Sequence, residues 1–280
     1  MHELKRKRCA ASDGAARVQQ INDGLVVSGS QLAARAGVGP RLGVPLTMAQ
    51  PSLRLAERGF LQFISPKSAG ISMNRKRLGI VIFDDIEVLD FCGPFEVFSV
   101  VRLDEQRRLE ERSPFEVVLV SEFDRVVTTT GGMKVVPDVS FESCPALDLL
   151  VVPGGWGTRR EMHSEAMLGF VRARAAGVET LASVCTGALI LGSAGLLDGL
   201  RATTHWRALQ MMQALFPKVT VDAESHVVQQ GRVITSAGIS AGIDMALLIV
   251  ANHFGEGIAR AAARHMEYRF PETNERRIAL

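Results

Sequence analysis

From residue 78 onward the sequence predicts a doubly wound α/β domain, a mostly parallel sheet with helices on both faces. Three observations predict it. Continuous apolar runs recur, as strands buried on both faces produce. Helical stretches alternate with those runs, which implies parallel strands joined by crossovers. The 280 residues, 47% hydrophobic and 22% charged, are ordinary globular composition and enough for one large domain. In such a sheet, ligands bind beyond the carboxyl ends of the strands, so residues just after a strand end are the candidates for chemistry.

The elements follow in order. Gly79-Ile80-Val81-Ile82-Phe83 is an apolar run closed by Asp84-Asp85 and reads as the first strand. A helix is expected around Gly93 to Leu103, with Pro94 tolerated in its first turn. Further buried strands are expected at Phe115–Val120, Leu147–Val152, Thr180–Val184 and Arg232–Ser236. Thr128–Val136, with Gly131-Gly132 between β-prone flanks, reads as a hairpin. Helical patterns occupy roughly Glu161–Ala175, Thr186–Ala194, Arg207–Phe216, Ala241–Phe254 and Gly257–Tyr268.

Residues 1–72 differ from this pattern. They carry 10 Lys/Arg against 4 Asp/Glu, whereas the remainder is mildly acidic with 22 against 26. Lys5-Arg6-Lys7-Arg8 is a basic cluster, and Gln31 to Val38 resembles a single helix–turn fragment without a partner helix. A targeting peptide, a small DNA-contacting segment and a poorly ordered extension upstream of a true start at Met73 are the open readings, the last being preferred. The domain is therefore expected over 73–280.

A mildly acidic globular part gives no electrostatic footprint for nucleic acid. No apolar run approaches the roughly 18 residues a membrane span needs. Cys9, Cys92, Cys144 and Cys185 show neither CxxC pairing nor Cys/His ligand spacing. No disulfide framework or metal site is expected, and a cytoplasmic location is.

Cys185 stands where the run Thr180–Val184 breaks into a small-residue helix. A strand-to-helix turn of this kind exposes one side chain and points the helix's first N–H groups at it. Cys185 is a nucleophile or a packed thiol, since free cysteine is often buried. The helix end stabilises a thiolate by at most about 2 kcal/mol. Pro153-Gly154-Gly155-Trp156-Gly157 follows another strand, either as a tight turn or as an anion-holding nest shared with the Thr186 N–H.

Asp90 lies in an apolar stretch ahead of a helix, as an N-cap or as a partner of Cys185. Two negative charges about 4 Å apart repel by roughly 4 kcal/mol at an effective dielectric near 20, which exceeds the helix contribution. Such a pair is expected to share one proton, a thiolate beside a protonated carboxyl. His205, ending a β-prone run, is a base, a substrate-orienting group, or merely a cap or surface histidine. His265 and Glu267 fall in a helical pattern where residues two apart face differently, and are given a structural role.

With these residues on the page, the chain from about Arg77 to Phe270 resembles the ThiJ/PfpI superfamily, which has a class I glutamine amidotransferase-like, flavodoxin-like fold. The segments GIVIFDDIEVLDFCGPFEVF, DLLVVPGGWGT, SVCTGALILGSAGLLDGLRATTHW and VITSAGISAGIDMAL carry the resemblance in order. The SVCTG and RATTHW forms look most like the isonitrile hydratase branch and also resemble sensor domains of AraC-type regulators. The resemblance implies Cys185 as nucleophile and Asp90 as its carboxylic partner. It also implies Thr186 in the position after the nucleophile, Gly154 and Gly155 with the Thr186 N–H as anion-binding groups, and His205 near the pocket.

Peptidase-like members have histidine where this chain has Thr186, which weighs against proteolysis. Glyoxalase-like and deglycase-like members commonly have Glu where this chain has Asp90. The regulators continue into a DNA-binding domain, which is not expected in a chain ending at Leu280. The expected function is hydration of an isonitrile to an N-substituted formamide by a homodimer without cofactor. The alternatives are a non-catalytic small-molecule or redox sensor, and aldehyde chemistry.

Overall fold

The computed structural model describes residues 74–278. The expectations for residues 1–72 lie outside the described residues.

The strands are β1 Lys76–Val81, β2 Phe115–Ser121, β3 Val127–Thr128, β4 Lys134–Val135, β5 Val139–Ser140, β6 Leu149–Val152, β7 Thr180–Val184, β8 Arg201–Ala202, β9 Thr220–Val221, β10 Val227–Gln230 and β11 Val233–Ser236. The helices are α1 Val88–Val100, α2 Thr158–Glu161, α3 Glu165–Ala175, α4 Gly187–Ser193, α5 Leu209–Leu215, α6 Ala241–Phe254 and α7 Glu256–His265. Seven strands form one sheet in the order β10-β11-β7-β6-β1-β2-β5. Every neighbouring pair is parallel except β10 with β11. This is the flavodoxin-like, mostly parallel sheet that the apolar runs predict.

The central strands β6 and β7 are buried along their whole length because both faces are covered. Helices α1, α6 and α7 pack with one another, while α2 and α3 pack on α4. From β1 the chain first moves outward to β2, then returns to β6 and continues the other way through β7 to β11. That reversal opens a crevice beyond the carboxyl ends of β1 and β6.

Two expected helix starts shift. The helix expected from Glu161 begins at Glu165, where the Ser164 hydroxyl accepts the Met167 N–H as its cap, and the short helix α2 ends at Glu161 before it. Helix α1 begins five residues before the expected Gly93, so Pro94 lies inside it rather than in its first turn. The hairpin over Thr128–Val136 is present as β3 and β4, paired Val127 with Val135.

A polar cluster ties the segment after α7 to this frame. Asp244, on the first turn of α6 and only 3% exposed, accepts from the Tyr268 hydroxyl at 2.8 Å and from Arg277 at 2.5 Å. The buried His226 Nε2 stands 2.9 Å from the same carboxylate, off the line of a hydrogen bond. Arg276 reaches from this segment to the Thr203 hydroxyl at 2.7 Å and the Thr204 carbonyl at 3.2 Å.

Candidate active site

Cys185 occupies the turn between β7 and α4 with φ 57°, in the left-handed region. A β-carbon is strained there by roughly 1–3 kcal/mol, so the surroundings must hold the turn. They do: the Cys185 N–H donates to the Ser236 and Ala237 carbonyls at 3.2 and 3.1 Å. The Thr204 hydroxyl donates to the Cys185 carbonyl at 2.8 Å. The elbow geometry expected from the sequence is therefore present, and it is braced from both sides.

Asp90 is fully buried in the first turn of α1. The capping alternative for this residue is corrected: Glu87 holds the N-cap position, and the Asp90 side chain turns away from its own helix. Oδ2 accepts the Gly154 N–H at 2.9 Å, whereas Oδ1 has no hydrogen-bond partner among the described residues. Burial pushes the Asp90 pKa up to about 8, against the pull of the Gly154 N–H and the neighbouring Cys185 thiol. With no cation at hand, the carboxyl keeps its proton at neutral pH.

Burial also pushes the Cys185 thiol well above its ordinary range, and Asp90 adds to the push. The Thr186 N–H and hydroxyl pull the other way and do not win. The expectation of one shared proton is thus corrected. Desolvation, absent from the balance of repulsion against helix end, leaves the resting pair as a thiol and a carboxylic acid, each with its own proton.

Gly154 and Gly155 also take a different part from the one expected. The Gly154 N–H is held by Asp90, and the Gly155 N–H donates to Thr186 Oγ1 at 3.0 Å. Neither is free to hold a developing anion. Instead the turn fixes the acid and Thr186, whose hydroxyl is shared with Thr158 Oγ1 at 3.0 Å. A β-carbon on Gly154 would stand 2.5 Å from the Thr186 nitrogen and 2.9 Å from Asp90 Oδ2, so only glycine lets these three elements meet.

His205 combines two of its alternatives. Its Nδ1 accepts the Arg207 N–H at 3.3 Å, capping a short 3₁₀ turn at Trp206–Ala208, while its ring lines the cleft over Cys185. An acceptor at Nδ1 places the proton of the neutral ring on Nε2. Burial and then the charges of Arg207, Arg276 and Arg159 lower its pKa, so the ring is neutral at pH 7 and offers an N–H. Gly238 makes room for this ring and for the sulfur, which lies 3.1 Å from where a Gly238 β-carbon would be.

Together Cys185, Thr186, Gly155, His205 and Ile239 enclose a cleft of about 180 Å³. Sequence reasoning missed Thr158, Thr204, Gly238 and Ile239, which carry no motif of their own and are brought in by packing. His265 and Glu267 are exposed and do not line this cleft.

The comparisons with known proteins bear on the family and the fold. The DJ-1/PfpI family pattern matches residues 76–252. Over 192 residues the chain is 36% identical to an isonitrile hydratase of Pseudomonas putida, covering 69% of this chain and 78% of that protein. It is 28% identical over 195 residues to the transcriptional regulator GbdR of Pseudomonas aeruginosa, a match spanning 70% of this chain and about half (51%) of the regulator. Among solved structures, a ThiJ/PfpI family protein from Pseudomonas syringae superposes with TM-score 0.61 at 28% identity, covering 77% of this chain and 87% of that one. Drosophila melanogaster DJ-1beta shares the fold at TM-score 0.60 and 20% identity, over 70% of this chain and all of that one. The chain belongs to the DJ-1/PfpI family.

Proposed function

We propose that this protein hydrates a small isonitrile to an N-substituted formamide, using Cys185 as nucleophile and Asp90 as proton carrier. The observation that carries this reading is the buried pair itself, a neutral thiol against a neutral carboxylic acid. An isonitrile carbon needs both a nucleophile and a proton, and the pair supplies the two together. Sulfur adds to the terminal carbon while Asp90 gives its proton to that carbon and takes the thiol proton in return. The product is a thioimidate on Cys185. Water then adds at the same carbon, one of its protons going to nitrogen. As the C–S bond breaks, the hydroxyl proton returns to sulfur and the formamide leaves. In this reading His205 offers its Nε2–H to the carbonyl oxygen as it forms, a part the glycine N–H groups, already engaged, do not take. A homodimer is proposed with it, and light scattering in solution checks the mass.

A redox sensor uses the same fold, but oxidation proceeds through an accessible thiolate. Cys185 is only 6% exposed, which slows oxidation from solvent. The test is incubation with a simple aliphatic isonitrile and mass spectrometry for a product heavier by one water. Turnover is expected, with loss in Cys185→Ser. No turnover of any isonitrile, alongside selective oxidation of Cys185, overturns the reading in favour of a sensor. Methylglyoxal consumption in the same format tests the aldehyde alternative.

A further inference from the structure

The rim of the cleft carries charges that the proposed chemistry at Cys185 does not use. Arg159 and Arg207 both line it, and among the described residues neither has a carboxylate partner. Each guanidinium instead lies over an exposed tryptophan, Arg159 at 4.6 Å from the Trp156 ring centre and Arg207 at 4.8 Å from that of Trp206. A guanidinium held over an aromatic face uses none of its N–H groups there, which leaves them for an anion. Arg159 spends one N–H on a long contact of 3.4 Å to the Gly155 carbonyl, and Arg207 makes no side-chain hydrogen bond within the described residues.

The same two charges act inside the cleft, since both depress the His205 pKa. Glu87 is the one carboxylate on the lining besides them, and it faces Asp90 closely enough to raise that pKa. An anion is therefore repelled from the Glu87 side and drawn to the arginine side. A volume of about 180 Å³ is enough for a small acid.

We infer that the cleft takes substrates bearing a carboxylate, with Arg159 and Arg207 binding that group while the reacting carbon reaches Cys185. In terms of the proposed function, which this inference deepens, the substrate class is the isocyano carboxylates.

A matched pair of substrates tests it: isocyanoacetate and its methyl ester carry the same reacting group and differ in charge. The free acid is expected to show a KM lower by about tenfold or more, with kcat little changed. Arg159→Gln and Arg207→Gln should each raise the KM of the acid by about tenfold and leave the ester unmoved. Equal KM values for acid and ester, or variants that shift both alike, overturn the inference.

Binding gives a readout independent of turnover, because each of the chain's two tryptophans lies against one of the two arginines. Titration with N-formylglycinate should change tryptophan fluorescence, its methyl ester should not, and the two arginine variants should abolish the change. If the carboxylate binds in this way and no isonitrile is hydrated, the anion site stands and the isonitrile reading fails. If both isonitriles are hydrated without preference, the reading stands and the anion site fails. Neither binding nor turnover removes both.

Discussion

Asp90 and Asp244 are two aspartates withdrawn from water to nearly the same degree, 0% and 3% exposed. Their surroundings differ in kind. Asp244 is met by a guanidinium, a phenol and an imidazole, all gathered from the segment after α7 and the strand β10 approach. Asp90 is met by one backbone N–H and a thiol. A buried carboxylate given cations and donors becomes a tie between chain segments. Deprived of them, it becomes an acid that keeps its proton at neutral pH. Burial alone predicts neither outcome; the partners do.

The comparison is broken most forcefully by removing each carboxylate in turn. Asp244→Ala removes the acceptor of the Tyr268 hydroxyl and of the half-exposed Arg277, and should cost about 1–3 kcal/mol in denaturant unfolding. Asp90→Asn should act in the opposite direction. The Asn carbonyl still accepts the Gly154 N–H, and no group is left that prefers to ionise. In the folded chain Asp90 holds its proton to about 8 against an ordinary 3.8, so the wild type loses stability as pH rises between those values. The Asn variant escapes that loss and should be more stable by about 2–4 kcal/mol at pH 7, with no advantage below about pH 4. Hydration should fall by about 10³-fold in the same variant. If Asp90→Asn destabilises at pH 7, the two aspartates are alike and the contrast is lost.

The pH dependence of the wild type sharpens the point. Activity should be level below neutrality and decline as Asp90 surrenders its proton through about pH 8, read as kcat/KM against pH. A rise over that range would mean that a thiolate, not the neutral pair, is the working form. The smallest effect is expected at the brace. Thr204→Val removes the hydroxyl that holds the Cys185 carbonyl and should cost about 1 kcal/mol, with kcat reduced more than KM is raised.

Much of this was legible before any coordinates. Continuous apolar runs marked β1, β2, β6, β7 and β11, and the residues after three of those strand ends are the ones that meet at the site. Two-residue strands such as β5, β8 and β9 have no periodicity to read. Asp90 was legible as a candidate partner of Cys185, but its proton was not. The protonation of a pair depends on what desolvates it, and the apolar wall comes from strands far away in sequence. The glycine turn was legible as a backbone that approaches something closely, yet which acceptors occupy its N–H groups is fixed only when β1, β6 and β7 come together. Arg159 and Arg207 carried no sequence signal, because their common rim is made by α2 and a 3₁₀ turn, with the two arginines 48 residues apart.

The left-handed turn at Cys185 has a consequence for the protein's history. A side chain held at φ 57° is a standing cost, and glycine at that position would relieve it by about 1 kcal/mol or more. The buried acid beside it is a second such cost. Selection for robustness alone would therefore erase Cys185 and Asp90 early, and the inactive descendants would be the sturdier proteins. That both residues stand together in this chain is something the stability of the fold does not account for and the proposed use of the thiol does.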